Sequence, residues 1–264
     1  MTRPDLIFFG NGPLADYAYD ILSANFNILF RARRKEDLAV VKSIKTEHPA
    51  AHGVLASFGV MVKSDVLDLF EPEGILNIHP SLLPRFRGAS PIESAILAGD
   101  TSFSVSIMKL VRAMDASPLY HQIIMDNLPL DKDAIYRSLA TAGATWISEH
   151  IGHLPTPVEQ SGDPTFCTKF DKSMSILTPE TKPSEVLMRE IIAYKGFPRS
   201  KIALFGHELT VLEAHTSDLA PTAPGKEYAL LCADGRFLYL DRVQPAGKNP
   251  MDIRSFLNGY GRNR

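Results

Sequence analysis

Short apolar segments that alternate with amphipathic segments constrain the fold of this chain most. The segments 5–9, 26–32, 52–62 and 74–79 are apolar enough for buried strands, and the segments between them show helical spacing of apolar residues. Strands that alternate with helices predict parallel strands joined by crossover helices. We therefore expect an α/β fold class, with a doubly wound, Rossmann-like parallel sheet in the first half of the chain.

The pattern changes after about residue 162, where the chain becomes polar and rich in Pro, Thr and Ser. A helical segment and several short strands separated by turns follow, which predicts a small, OB-like C-terminal β-barrel. The change in composition predicts a first domain over 1–172, a linker over 173–184 and a second domain over 185–264.

Composition excludes several classes of protein. No apolar run approaches the roughly 20 residues of a membrane span, and the N-terminal apolar run is too short for a signal peptide. Cys167 and Cys232 have no Cys or His neighbours at metal-binding spacing, so we expect no metal site and a reducing, cytoplasmic location. The net charge is −2, yet six basic residues lie within 236–264. Such a basic stretch either meets a phosphate backbone or is solvated surface.

The first strand runs into a glycine motif, "GNGPLA" at 10–15, which matches the dinucleotide-binding pattern G-x-G-x-x-A. Arg31, Arg33 and Arg34 follow the second strand, where the 2′-phosphate of NADP is held in such folds. One interpretation is therefore an NADP-dependent oxidoreductase. The other is a plain tight turn, because Pro13 lacks one of the N–H groups that would bind a pyrophosphate.

The segment "LNIHPSLLPRFRG" at 76–88 ends the fourth apolar strand with two polar side chains. Asn77 and His79 stand two residues apart, so a strand places them on one face, and Pro80 and Pro84 stiffen the exit. Ligands of open α/β sheets bind beyond the carboxyl ends of the strands. A single His or Asn is commonly structural, but two polar groups on one buried face indicate a functional site.

From Asn77 to Asp115 the sequence resembles the signature of the folate-dependent formyltransferases, Asn-x-His-x-Ser-Leu-Leu-Pro followed by an Asp. Three further segments are similar to the branch of this family that formylates methionyl-tRNA: "RGASPI" at 87–92, "EIIAYKGFP" at 190–198 and "RVQPAGKNPMDIRSFLNG" at 242–259. The resemblance thus extends from the first strand to near the C-terminus.

The resemblance implies formyl transfer from 10-formyltetrahydrofolate to the amino group of methionine on initiator Met-tRNA. Asn77 would donate a hydrogen bond to the oxyanion, and His79 would donate a second one or relay the proton. Asp115 would orient His79, favour its charged form or hold a water molecule. The family requires no metal, and its partners are folate and tRNA, not DNA or a membrane. The C-terminal domain would bind the tRNA, and the residues implied in folate binding are Phe58, Gly59, Val60, Ser81, Leu82, Leu83 and Pro84.

Two departures from the family pattern concern the loop around the acid and the region 31–54. The usual Gly-Leu-Asp-Thr-Gly is replaced by "AMDASP" at 113–118, where Pro118 fixes φ and removes a donor. The region 31–54 holds only about one helix, where the resemblance implies a further strand–helix unit and a basic tRNA-binding loop, of which Arg31, Arg33, Arg34 and Lys35 would be the remnant. Two alternatives stay open, a formyltransferase for an amino sugar nucleotide or other small amine, and a non-catalytic RNA-binding relative.

Overall fold

The first strand, β1 (Asp5–Phe9), is covered on both of its faces, and its last four residues are fully buried. Phe8 packs against Tyr19 of helix α1 (Pro13–Asn25) on one face. Phe9 packs against Phe58 and Phe70 on the other face. A strand that is apolar at every position and covered on both sides lies in the interior of a doubly wound sheet.

The structure, a computed structural model, describes residues 3–223 and 225–261, which form two compact units. The first unit spans Met1–Ala95 and Asp100–Thr168, and the second spans Ile96–Gly99 and Lys169–Arg264. After β1 and α1, the elements up to residue 150 are β2 (Asn27–Ala32), α2 (Asp37–Glu47), β3 (His52–Leu55), α3 (Ser64–Leu67), β4 (Ile75–His79), α4 (Pro91–Ala98), β5 (Ser102–Lys109), β6 (Leu119–Asp126) and α5 (Lys132–His150).

The sheet of the first unit has the order β2-β1-β3-β4-β5-β6. The four strands β2, β1, β3 and β4 are parallel, as predicted, whereas β5 is antiparallel to β4 and β6 is antiparallel to β5. The chain between β4 and β5 stays at the carboxyl end of β4, with His79 opposite Ser106, so β5 runs back along β4. The sheet is therefore mixed.

The strand expected over 52–62 is wrong in its second half, because β3 ends at Leu55. Ser57 and Gly59 have positive φ angles of 52° and 68°, which a strand does not accommodate. The residues after Leu55 therefore form an irregular segment that begins beside the end of β4.

Within its described residues, the second unit contains an antiparallel sheet of the five strands β7 (Lys201–Leu204), β8 (His207–Ser217), β9 (Ala229–Leu231), β10 (Phe237–Pro245) and β11 (Met251–Asp252). Their order is β11-β10-β8-β7, with β9 paired to β10. Leu187 and Ile191 pack with Leu209, Leu238 and other residues in its apolar core. This agrees with the predicted fold class, a Rossmann-like α/β domain followed by a small β domain, while the domain boundaries at 172 and 185 stay predictions. The unit also contains the helices α6 (Ser184–Ala193) and α7 (Ile253–Tyr260).

Within the two described ranges, no helix combines the length and the hydrophobicity that a transmembrane span requires.

Gly10 lies where the chain leaves β1, and its place in the packing excludes a side chain. A Cβ at this position would overlap the carbonyl oxygen of Ala56 and lie 2.7 Å from the Cβ of Ala15. We expect Gly10→Ala to lower the free energy of unfolding of the first unit by about 1–3 kcal/mol, the usual cost of overpacking. Urea denaturation followed by the fluorescence of Trp146, the single tryptophan, measures this loss.

Gly162→Ala is the control for this measurement. A Cβ at Gly162 meets no atom within 4 Å, and only the positive φ of 94° opposes it. The control should cost about 1 kcal/mol. An equal or smaller loss for Gly10→Ala would contradict the packing role.

Candidate active site

Strand β4 ends in two polar residues on one face. Ile75, Asn77 and His79 alternate along the strand, and Ile75 packs into the apolar core beside α2 and α3. Asn77 and His79 keep only 6% and 5% of their surface exposed. On this face of β4, the apolar residue Ile75 is followed by an amide and an imidazole at the carboxyl end of the strand, and these two groups form the candidate site.

His79 is held through both ring nitrogens. Nε2 donates to the carbonyl oxygen of Phe86 over 3.1 Å, and Nδ1 lies 3.6 Å from Oδ1 of Asp115. A backbone carbonyl only accepts hydrogen bonds, so Nε2 carries the proton and Nδ1 of the neutral ring is unprotonated. Burial lowers the pKa of His79 below its ordinary value, although Asp115 and the Phe86 carbonyl oppose this effect. His79 is therefore neutral at pH 7, and Nδ1 is able to accept a proton.

Asp115 lies in the loop that follows β5, and its side chain lies next to His79. Its Oδ2 accepts a hydrogen bond of 2.8 Å from the backbone N–H of Gly88, which leaves Oδ1 facing the imidazole. The side chain is 13% exposed. Asp115 itself has a positive φ of 47°, which is uncommon for a residue with a side chain.

The amide of Asn77 has no hydrogen-bonding partner within residues 3–223 and 225–261. Its amide atoms are not among the fully buried unpaired atoms of the described residues, which are Arg87 Nε, Glu190 Oε2 and Ser200 Oγ, so the amide reaches solvent and is open to a ligand. Asn77 lies on β4 between Leu55 of β3 and Met108 of β5. An unpaired donor at this position is suited to bind a negatively charged oxygen.

The predicted folate-binding segment 81–84 is fixed from beneath by Ser106 of β5, which is fully buried. The Ser106 hydroxyl donates to the carbonyl of Ser81 over 2.6 Å and accepts from the N–H of Leu83 over 3.2 Å. Gln122 donates to both the Ser106 hydroxyl and the Leu83 carbonyl. The side chain of Leu83 is buried, while Leu82 is 40% exposed. Only part of the segment therefore presents side chains to a ligand.

The predicted residues Phe58, Gly59 and Val60 lie in the irregular segment after β3. Phe58 packs in the core against Phe9, with ring centroids 5.8 Å apart, so its side chain faces away from solvent. Gly59 adopts a left-handed backbone with open space where a Cβ would be. Backbone groups are what this segment offers to a ligand.

The glycine motif at 10–15 does not form a phosphate site with Arg31. The Arg31 guanidinium donates to the carbonyl of Gly10 over 3.2 Å, pairs with Asp16 and lies over the ring of Tyr19. Its side chain is only 10% exposed. Arg31 therefore stabilises the turn after β1. The motif fits the second of the two interpretations, a plain tight turn.

Two of the C-terminal basic residues are paired within the second unit. Arg236 forms ion pairs of 2.8 Å with both Glu185 and Asp218, and Arg242 lies 3.6 Å from Glu213. The predicted basic residues Arg262 and Arg264 lie outside the described residues.

Sequence reasoning missed the segment 158–168, which contacts the loops on both sides of His79. Thr165 accepts a hydrogen bond from the N–H of Phe86 through its hydroxyl, and the Cys167 thiol donates to the Phe86 carbonyl. Gln160 donates to the backbone carbonyls of Asp115 and Ser117. The segment is polar and aperiodic, so no local pattern distinguishes it from a linker.

Comparison with known proteins identifies related chains. A family model described as "Formyl transferase" matches residues 14–151, and "Formyl transferase, C-terminal domain" matches residues 171–261. The methionyl-tRNA formyltransferase of Granulibacter bethesdensis is 32% identical over 241 residues, which cover 84% of this chain and 74% of that protein.

Two solved structures share the fold at low sequence identity. The methionyl-tRNA formyltransferase of Clostridium thermocellum aligns with a TM-score of 0.67 and 16% identity, over 94% of this chain and 100% of that one. HypX from Aquifex aeolicus, in complex with tetrahydrofolic acid, aligns with a TM-score of 0.74 and 13% identity. The alignment covers all of this chain and 48% of HypX, so the chain spans about half the length of that protein.

Proposed function

Since the chain belongs to the methionyl-tRNA formyltransferase family, we propose that it transfers the formyl group of 10-formyltetrahydrofolate to the amino group of methionine on initiator Met-tRNA. The observation that carries this proposal is the end of β4, where the unpaired amide of Asn77 and the carboxylate-paired ring of His79 share one buried face. Formyl transfer to an amine requires a donor for an oxyanion and a group that accepts a proton. These two side chains are of the required types.

The reaction needs no nucleophile from the protein, because the acceptor is itself an amine. An α-amino group titrates at about 7.7–8.0, so a substantial fraction is neutral at physiological pH. The amine nitrogen attacks the formyl carbon, and the carbonyl electrons move to oxygen as the new C–N bond forms. The amide of Asn77 donates to this oxyanion. When the intermediate collapses, the bond from the formyl carbon to N10 of the folate breaks.

His79 moves the proton that this transfer displaces. The attacking nitrogen loses a proton and N10 gains one, so a single group between them is sufficient. Neutral His79 takes the proton at Nδ1, the nitrogen left unprotonated by the contact of Nε2 with Phe86. Asp115, 3.6 Å from Nδ1, stabilises the imidazolium until the proton passes to N10. Of the roles considered for Asp115, the geometry supports stabilisation of the charged ring.

The two substrates bind to different parts of the chain, the folate to the first domain and the tRNA to the second. The segments 58–60 and 81–84, which leave the adjacent strands β3 and β4, bind the folate. The domain predicted over 185–264 binds the tRNA. Lys248 and Arg254 are basic residues of this domain suited to meet the phosphate backbone.

The pH dependence of the rate provides a test of the pairing between His79 and Asp115. Protonation of the acceptor amine lowers kcat first as the pH drops. A second, acidic limb follows below the pKa of His79, which burial lowers, because proton acceptance requires neutral His79. Asp115→Asn removes the charge that opposes this effect, and this acidic limb of the kcat profile should move to still lower pH. The plateau should fall by about tenfold or more, at 1.4 kcal/mol per factor of ten, because the imidazolium loses its counter-charge.

Asp133→Asn is the matched control for this pH profile. Asp133 pairs with the hydroxyl of Tyr17 and does not contact His79. An acidic limb that stays in place in Asp115→Asn, or that moves equally in Asp133→Asn, would contradict the assigned role of Asp115.

Competition between acceptors tests the substrate. With 10-formyltetrahydrofolate as the donor, kcat/KM is compared for charged initiator Met-tRNA, for free methionine and for an amino sugar nucleotide. The proposal predicts that Met-tRNA is preferred. Faster formylation of the amino sugar nucleotide would overturn the acceptor while leaving the formyl-transfer chemistry in place.

A further inference from the structure

The loop that carries Asp115 starts at the far end of β5 and returns to the carboxyl end of β4. Strand β5 is antiparallel to β4, so it ends with Lys109 opposite Leu76, whereas His79 lies opposite Ser106. The loop must therefore turn back over the sheet before Asp115 reaches His79. Contacts outside the two strands have to fix this return.

Asp115 has no neighbouring glycine to ease its turn. It adopts a φ of +47°, a conformation that costs a residue with a side chain roughly 1–2 kcal/mol. Ala113 and Ser117 stand at the two positions where the family pattern has glycines. A strained turn of this kind persists only when its surroundings hold it.

Gln160 supplies two of the contacts that hold the turn. Its Nε2 donates to the carbonyl of Asp115 over 2.8 Å and to the carbonyl of Ser117 over 2.9 Å. One amide nitrogen has two hydrogens, so both are used. Because the two carbonyls lie on either side of residue 116, the amide clips the backbone of the turn at two points.

Arg87 fixes the orientation of the Gln160 amide. Its guanidinium donates to Oε1 of Gln160 over 2.6 Å, so the amide oxygen points to Arg87 and the amide nitrogen points to the two carbonyls. The backbone of Arg87 is itself bound to the segment 158–168 through Thr165 and Cys167. The next residue, Gly88, donates to the Asp115 carboxylate. The chain that follows the Asn77/His79 strand is thereby linked to the acid.

We infer that Gln160 is a positioning residue, which holds the Asp115 loop so that the carboxylate faces Nδ1 of His79. The effect of Gln160 on catalysis rests on the formyl transfer proposed above. The structural part of the inference, that Gln160 acts on His79 through Asp115, does not depend on which acceptor is used.

NMR of the labelled His79 imidazole in the whole chain measures the titration of His79, and thereby tests directly whether Gln160 acts on His79 through Asp115. Within the described residues, the ionisable side chains that contact His79 or the carbonyl it binds are Asp115 and Cys167. Burial raises the pKa of the Cys167 thiol, so it stays uncharged over the range in which His79 titrates. A change in the titration of His79 therefore reports the position of Asp115.

Gln160→Met keeps the length of the side chain and removes both carbonyl contacts. We expect the His79 titration to move to lower pH and kcat to fall by about tenfold, because the imidazolium loses part of its counter-charge and each 1.4 kcal/mol is a factor of ten. KM for the folate should stay within about twofold, because uniform binding is not affected. In the Asp115→Asn background, Gln160→Met should cause no further shift of the His79 titration.

Gln160→Glu separates the two contacts of the amide. A carboxylate still accepts from Arg87 but has no hydrogen to donate to the carbonyls of Asp115 and Ser117. Its kcat should fall as in Gln160→Met, but its added negative charge acts on His79 directly. The titration is therefore compared in a second neutral variant, Gln160→Leu, which also serves if the methionine variant does not fold. Gln244→Met is the matched control, because Gln244 accepts from Arg199 over 2.6 Å and donates to the carbonyl of Lys248 in the second unit. It should leave the titration of His79 unchanged.

A folded Gln160→Met or Gln160→Leu protein with the wild-type His79 titration would overturn the inference. So would a shift of the same size in the Asp115→Asn background, because Gln160 would then act by another route. If the wild type does not formylate Met-tRNA, the proposed function fails, but the NMR titration still decides the role of Gln160.

Discussion

Replacement of His79 by alanine is expected to lower kcat for formyl transfer by about 10²–10³-fold, within the range for loss of a positioned acid–base group. The variant keeps the donor-binding segments but has no group at the end of β4 that accepts a proton beside Asp115. KM for 10-formyltetrahydrofolate should change little, because His79 acts mainly on the transition state. Steady-state kinetics with both substrates varied separates the two effects.

His48→Ala is the matched control for this variant. His48 also pairs with a carboxylate, Asp5 at 3.1 Å, but it follows α2 at the opposite end of the sheet and is exposed. Its replacement should leave kcat within about twofold, as is usual for a surface substitution. Near-full activity of a folded His79→Ala protein would contradict the proton-transfer role.

Replacement of Asn77 is expected to lower kcat by a similar factor, but through loss of the oxyanion donor and not of the proton acceptor. Asn77→Ala removes the unpaired amide proposed to bind the oxyanion, and loss of one such donor costs about 10²–10³ in kcat. Asn77→Asp keeps the shape but places a carboxylate where negative charge develops, so it should be at least as impaired. In the uncharged Asn77→Ala variant, the pH at which the acidic limb lies should stay that of the wild type, because His79 and Asp115 are intact.

Asn27→Ala is the control for the Asn77 variants. Asn27 donates to Asp5 over 2.7 Å at the start of β2. Its loss removes an amide hydrogen bond of the same unit without contact to the end of β4. Equal losses of kcat in Asn27→Ala and Asn77→Ala would show that the effect is on folding.

The sequence predicted β4 and its two polar residues because local rules decide both. A five-residue segment with three apolar residues, Ile75, Leu76 and Ile78, forms a strand. Alternation places Asn77 and His79 on one face, and the carboxyl end of a strand faces the ligand side of the sheet. Asp115 was found only through resemblance to a family. It lies 36 residues after His79 and reaches it by a return loop that no periodicity encodes.

The remaining differences between prediction and structure have the same physical origin. The direction of β5 depends on the end of the sheet at which the chain enters this strand after α4. An alternating strand pattern is the same in both directions, so it does not predict this direction. Gln160 acts through backbone carbonyls, which every residue has, so its partners leave no mark on the sequence. In the glycine motif, Gly10 avoids contact with Ala56, and packing alone accounts for it.

The most direct test of the central claim is a single-turnover assay with the intact protein, 10-formyltetrahydrofolate carrying a labelled formyl group and charged initiator Met-tRNA. The account predicts labelled N-formylmethionine at the 3′ end of the tRNA for the wild type, and a strongly reduced rate for His79→Ala. No labelled product from a folded wild-type protein that binds the folate would contradict methionyl-tRNA as the acceptor. An equal rate in His79→Ala would contradict the site.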